Sequence, residues 1–147
     1  MRIVVQRVKS CKVSVSEKTV GEIGNGFLVL LGIKRGDSEK DVEELVDKLY
    51  KLRIMSDQED KMNLTVTEAG ASILVVSQFT LYANTKKGNR PSFIQAEDSG
   101  KAEVLYKKFV SILKEKNVPV QTGEFGSYMK IDAQLDGPVT IILESGK

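Results

Sequence analysis

Residues Phe27-Leu28-Val29-Leu30-Leu31 form an unbroken apolar run. In an extended strand successive side chains point to opposite faces, so a strand with no polar side has to be covered on both. A one-sided sheet open to water is therefore excluded, and the chain must supply apolar layers above and below this segment. Helices provide one layer. From Glu39 to Arg53, residues Val42, Leu45, Val46 and Leu49 recur at helical spacing, with Asp37 or Ser38 as N-cap. Acids crowd the start of that stretch (Glu39, Asp41, Glu43, Glu44) and bases its end (Lys48, Lys51, Arg53), which complements the helix dipole. From Gly100 to Lys116 a second stripe runs through Ala102, Leu105, Tyr106, Phe109, Ile112 and Leu113, and Pro119 lies just beyond it.

The remaining pattern is strands. Ile3, Val5 and Arg7 share one face of an N-terminal strand, and Val4, Gln6 and Val8 the other. Cys11, Val13 and Val15 alternate with Lys12, Ser14 and Ser16. Asn25-Gly26 separates Val20–Ile23 from Phe27–Ile33, and that dipeptide favours a tight hairpin turn. Ser72–Phe79 is a further strand, and two more are expected around Met129–Leu135 and Val139–Leu143. Strands, helix, strand, helix, strands is the order of an α+β domain. The expectation is one domain over residues 1–147: a mainly antiparallel sheet curled toward a barrel, with two covering α-helices.

Composition narrows the chemistry. Apolar residues make up 41% of the 147 and charged residues 29%, as in ordinary globular proteins. Cys11 is the only cysteine, so an intramolecular disulfide is excluded and a reducing compartment expected. No signal-peptide pattern opens the chain, and no stretch approaches the roughly 20 apolar residues of a membrane span. A cytoplasmic protein is expected. Histidine is absent, which excludes a Ser-His-Asp triad, a Cys-His pair and a histidine metal site. An enzyme built from this chain has to work with carboxylates, hydroxyls, lysine, backbone groups or the substrate itself. The net charge of +2 does not by itself mark a nucleic-acid binder.

Several segments are candidates for function. Ser77-Gln78-Phe79-Thr80-Leu81-Tyr82 puts polar side chains at the end of a strongly apolar strand, a rigid place that opens on a loop. Backbone N–H groups freed there suit a developing oxyanion. On spacing alone the simpler reading is that Ser77 and Thr80 end a strand and start a turn. Asp136-Gly137-Pro138-Val139-Thr140 places a proline where a strand starts or has a free edge, and a plain turn is its simpler reading. The loop Asn84–Ser92 holds Lys86, Lys87 and Arg90 without an acid, which fits either phosphate contact or a solvated face. Arg7, a charge on an apolar face, fits an ion pair or a carbonyl contact. Cys11 fits a small core residue.

Taken together, Gln6-Arg7-Val8, Lys61-Met62-Asn63-Leu64, Ser77-Gln78-Phe79-Thr80-Leu81, Asn89-Arg90-Pro91-Ser92-Phe93, Gln121-Thr122-Gly123-Glu124-Phe125-Gly126 and Gly137-Pro138-Val139-Thr140 resemble, in order, the D-aminoacyl-tRNA deacylases. The resemblance covers essentially the whole chain. Leu135 departs from it, standing where asparagine is expected. The resemblance implies a homodimer with the active site at the subunit interface, catalytic positions at Ser77, Gln78, Phe79 and Thr80, and no cofactor or metal. It implies that Gly137 and Pro138, joined by a cis bond, enter the partner's pocket, with Arg7 and Met129 also serving substrate selection. Backbone carbonyls there would collide with an L side chain, so D-amino acids, and glycine mischarged on alanine tRNA, are removed while L-aminoacyl-tRNA is spared. Lys86, Lys87 and Arg90 are the expected tRNA contacts.

The residues agree with that chemistry. An aminoacyl-tRNA ester is already activated and carries a ribose 2′-hydroxyl beside it. A site without histidine can orient that hydroxyl or a water and stabilise the oxyanion. Thr80 as nucleophile has no visible base, so RNA-assisted catalysis is the preferred expectation, with Phe79 packing on the terminal adenine.

Overall fold

The structure, a computed structural model, describes residues 1–146. Its elements run β1 (Arg2–Val15), β2 (Lys18–Ile23), β3 (Gly26–Gly32), α1 (Glu39–Lys51), β4 (Met55–Ser56), β5 (Met62–Leu64), β6 (Ser72–Ser77), a 3-10 turn (Phe79–Tyr82), α2 (Ser99–Glu115), β7 (Val120–Thr122) and β8 (Lys130–Glu144). Strand β1 pairs antiparallel with β2, β3 and β8. Strand β3 then pairs parallel with β6, and β6 parallel with β7. The sheet curls until β2 and β7 nearly meet: a Cβ on Gly21 would lie 2.3 Å from the Thr122 carbonyl oxygen, so only glycine permits the approach. This is the expected α+β architecture with a barrel-like sheet and two helices.

Two expectations about connections are corrected. Asn25-Gly26 makes no hairpin, because β2 and β3 do not pair with each other. Strand β1 is long enough to take both along one edge, β2 against Cys11–Val15 and β3 against Arg2–Val8. The tight hairpin is instead Ser16-Glu17, whose positive φ angles of 47° and 65° join the paired residues Val15 and Lys18. Gly26 serves a different need, since a Cβ there would lie 1.8 Å from the Ser72 carbonyl oxygen of β6. The second correction concerns the C-terminus, where one strand replaces the two expected. Gln6 pairs with Thr140 and Val8 with Leu135, so Asp136–Val139 is an insertion that bulges from β8 while both flanks stay on β1.

The apolar run of β3 is covered on both faces, as its composition requires. Phe27, Val29 and Leu31 join Ile3, Val5 and the helices in one cluster, with Val42, Leu45, Val46 and Leu49 from α1 and Leu105, Phe109 and Leu113 from α2. Leu28 lies with Val8, Cys11, Val13, Ile23, Leu74 and Val76 inside the curl of the sheet. Val110 of α2 is buried too, whereas Ile112 of the expected stripe is only partly so. Tyr106 reaches the sheet through its hydroxyl, which donates to the Val75 carbonyl at 2.9 Å.

The start of α1 is tied to the end of the chain. Ser38 is the N-cap, and its backbone N–H and hydroxyl both donate to Asp41 Oδ2, at 2.9 and 2.8 Å. Ser145 Oγ donates to Asp41 Oδ1 at 2.7 Å. Burial works against the ionised Asp41 carboxyl, but hydrogen bonds from Ser145 and Ser38 outweigh it and lower it from 3.8 to about 2. A carboxylate held below its ordinary value stabilises the fold above that value and loses the contribution as pH falls through the folded one. Asp41→Asn should therefore lower the melting temperature at neutral pH, and the gap from the parent should shrink between pH 3.8 and about 2. A gap that stays constant across that window, read by thermal denaturation, contradicts the assignment.

Candidate active site

Ile73, Leu74, Val75 and Val76 are buried between β3 and β7, and β6 ends at Ser77 opposite Leu31. The Gln78 N–H still donates to the Leu31 carbonyl at 2.8 Å, after which the chain folds into the 3-10 turn. Gly32 makes room for it, because a Cβ there would stand 2.9 Å from Leu81 Cβ and 3.1 Å from the Gln78 carbonyl oxygen. The far end of the turn is anchored. Tyr82 is buried, Arg2 lies 5.2 Å over its ring, and Arg2 Nη1 donates to the Leu81 carbonyl at 2.8 Å. Burial pushes the Tyr82 hydroxyl well above its ordinary value. The near end of the turn is open: Phe79 is 58% exposed and packs edge-on against Phe93 at 5.0 Å.

A cavity of about 640 Å³ opens beside this strand end, within the size range of small-ligand sites. Ser77, Gln78 and Phe79 form one wall, Phe93 another, and Phe125 to Met129 a third, over a floor that includes Leu31, Val76 and Ile131. Met129 runs back across Gly123, where a Cβ would come within 2.6 Å of the Met129 sulfur. Thr80 is not in the lining; its hydroxyl accepts a hydrogen bond from the Gln78 side-chain amide. The first N–H groups of a helical turn have no partner within it, and neither Phe79 nor Thr80 donates its N–H to a backbone carbonyl among the described residues.

No strong general base stands in this cavity. The Glu97 carboxylate at its edge is engaged by Lys101 Nζ at 2.9 Å, by the Asp98 N–H at 3.1 Å and by the Gly36 N–H at 3.3 Å, and the Lys101 bond leads in holding it below the usual carboxylate range. Cys11 is buried inside the sheet curl, and burial, aided by Asp132, pushes its thiol up to about 11. Among the described residues no three Cys, Asp or Glu side chains are grouped to hold a metal ion.

The other candidates lie apart from the cavity. Gly137 and Pro138, joined by a cis bond, are exposed at the tip of the β8 bulge. Arg7 is buried beneath them. Its Nε donates to the Asp136 carbonyl and meets Asp136 Oδ2, both at 3.2 Å, and its Nη1 donates to the Ile54 carbonyl at 2.9 Å and Ser56 Oγ at 3.2 Å. The charge on the apolar face is thus both ion-paired and bonded to carbonyls. Leu135, just before the bulge, is 46% exposed. Lys86, Lys87 and Arg90 sit in an exposed loop whose ends are clamped by Asn84 and Ser92, with reciprocal backbone bonds of 2.8 and 2.9 Å. None of the three pairs with a carboxylate among the described residues.

Phe93, Phe125, Tyr128 and Arg35 also line the cavity and were not singled out from the sequence. Phe93 and Phe125 do lie in two of the matching motifs, Asn89–Phe93 and Gln121–Gly126. Nothing in their spacing separates a cavity aromatic from a core one. Among the described residues no helix is long and apolar enough to cross a membrane.

Comparison with known proteins completes the picture. The chain is 50% identical to the D-aminoacyl-tRNA deacylase of Clostridium botulinum (strain Eklund 17B / Type B) over 147 residues, 100% of this chain and 99% of that one. It is 50% identical, with the same coverage, to the proteins of that name from Clostridioides difficile (strain 630) and Thermotoga petrophila. A solved structure described as c-Myc DNA Unwinding Element Binding Protein superposes with a TM-score of 0.95 at 41% identity, covering 100% of both chains. A probable eukaryotic D-amino acid tRNA deacylase shares the fold, with a TM-score of 0.82 at 18% identity over 97% of this chain and 98% of that one. The family model for D-Tyr-tRNA(Tyr) deacylase matches residues 4–144, and the chain belongs to that family.

Proposed function

We propose that the chain is a cytoplasmic D-aminoacyl-tRNA deacylase, one domain that binds aminoacylated tRNA and hydrolyses its ester. The observation that carries this reading is 50% identity, over the whole chain, to proteins of that name. The cavity gives it a chemistry. With Phe79 against the terminal adenine, the ester carbonyl lies by the start of the 3-10 turn. Water attacks the carbonyl carbon, oriented by the neighbouring ribose 2′-hydroxyl, and the N–H of Phe79, a residue of the cavity wall without a backbone partner, receives the oxyanion. Collapse breaks the bond to the ribose oxygen, which takes a proton as free amino acid and tRNA leave. Ser77 and Gln78 shape the wall; Thr80, outside the lining, is not the nucleophile.

In this reading Gly137 and Pro138 select against L-amino acids from a partner subunit, so that D-aminoacyl esters, and glycine on alanine tRNA, are cleaved. Two observations support it. The bulge is exposed yet touches no part of its own cavity, so a second copy is needed to bring the two together. Arg7 bonds the bulge to Ile54 and to Ser56 of β4, and a carbonyl held this way does not yield to a side chain as a flexible group would. Met129 lines the cavity where the amino-acid side chain would point.

Incubation with D-tyrosyl-tRNA and L-tyrosyl-tRNA should release tyrosine from the D-ester alone; equal release from both removes the selectivity, and release from neither removes the activity. Thr80→Ala should keep its rate within about tenfold, measured at saturating D-tyrosyl-tRNA; a loss of about 10⁴-fold, as for a triad member, would restore Thr80 as nucleophile. Replacing Lys86, Lys87 and Arg90 together with Ala should flatten the salt dependence of tRNA binding by up to roughly three units of log-log slope. An unchanged slope in filter binding makes the loop a solvated face.

A further inference from the structure

Arg35 is the one cationic side chain in the cavity lining among the described residues. It stands at the mouth, with its side chain 57% exposed, and its Nη2 donates to Asp98 Oδ1 at 3.0 Å. Its backbone is fixed: the Arg35 N–H donates to the Gln95 carbonyl at 2.9 Å, Lys34 pairs with Ala96, and the Gly36 N–H donates to Glu97 Oε2 at 3.3 Å. The guanidinium is thus delivered from a firm base, while its partner holds it weakly, as exposed ion pairs do.

Asp98 has somewhere else to go. It is the N-cap of α2, yet its side chain makes no hydrogen bond to the first turn of the helix. Aspartate is among the preferred residues for that role, and the N–H groups of a first turn are open to it. If an anion takes Arg35, the Asp98 carboxylate can turn to cap its own helix, so neither group is left unpaired by the exchange.

The rest of the lining suits a base and an acyl group, with Leu31, Ile33, Val76, Phe79 and Phe93 among it. The nearest anion to the ester of an aminoacylated RNA is the phosphate on the 5′ side of its terminal nucleoside. We infer that Arg35 binds this phosphate, displacing Asp98, and that Asp98 competes for the guanidinium and so tunes substrate affinity. The inference rests on the deacylase reading and assigns the cavity mouth to the terminal phosphate. Lys86, Lys87 and Arg90 lie outside or away from this cavity and would meet phosphates further along the chain.

The test uses two small substrates that differ only in the phosphate: the D-tyrosyl ester of adenosine and that of adenosine 5′-monophosphate. For the parent, kcat/KM should be about tenfold higher with the phosphate, mostly through KM, as a charge-assisted hydrogen bond predicts. Arg35→Ala should bring the ratio of the two kcat/KM values toward one. Arg35→Lys should leave it between, since charge remains while the two-pronged contact is lost. Asp98→Asn should raise the ratio above the parent's, because asparagine is equally suited to cap the helix but does not hold the guanidinium by charge. This opposite sign keeps the inference decidable whatever Arg35→Ala does to folding. A parent ratio of one, or a ratio indifferent to these substitutions, overturns the role of Arg35 and leaves the deacylase reading standing. Failure of the parent to cleave either ester or D-tyrosyl-tRNA overturns that reading and the inference with it.

Discussion

Both edges of β1 are occupied by antiparallel partners, β2 and β3 on one side and β8 on the other. A strand saturated in this way resists slipping, because a one-residue shift would move its buried residues to the wrong face and any shift would break hydrogen bonds on both sides at once. The position of each neighbour is therefore fixed relative to every other. Strand β3 is held so that Leu31 meets Ser77 at the end of β6, which sets where the cavity opens. Strand β8 is held on both sides of its insertion, so the extra residues have no route except outward beside Arg7. The cavity and the Gly137-Pro138 bulge are placed by one strand that contributes no residue to the cavity lining.

Close backbone approach does the finer positioning. Gly21, Gly26, Gly32 and Gly123 each stand where a Cβ would come within 3.0 Å of a neighbour. One of these contacts closes the sheet, at Thr122, one lets the start of β3 meet β6 at Ser72, and two shape the cavity, at Leu81 and Met129. The walls of the site thus follow from the same tight packing that shuts the barrel, and a side chain added at Gly32 or Gly123 displaces the site without touching a substrate.

Where sequence and structure agree, the signal was one of covering apolar surface. The run at Phe27–Leu31 demanded two apolar layers, and the helical stripes named most of what fills one of them. What failed to read was pairing. Asn25-Gly26 carries the chemistry of a hairpin, yet the length of β1 decides the matter by accepting β2 and β3 end to end. Likewise, a glycine-proline pair between apolar runs reads as a turn, and only the common partner β1 shows it to be a bulge within one strand. The cavity was half legible. Ser77-Gln78-Phe79 stood out as polar residues closing an apolar strand, whereas Phe93 and Phe125 look like any aromatic until the fold brings them alongside. Arg35 carried no sequence signal, because an arginine after a strand is ordinary until the rest of the cavity lining is seen to be uncharged or acidic.

Cys11 is 1% exposed and packs within the sheet curl beside Val76, the residue just before the strand end at Ser77. Buried this way, with its thiol held protonated, it is inert toward electrophiles while the barrel stays shut. Reaction has to wait for the sheet to part, and the natural place to part is the seam of β2 and β7, which no ladder closes. The single thiol is therefore a built-in stopwatch: its rate of modification counts how often the barrel breathes beneath the cavity floor, and any ligand that steadies that floor will slow the count.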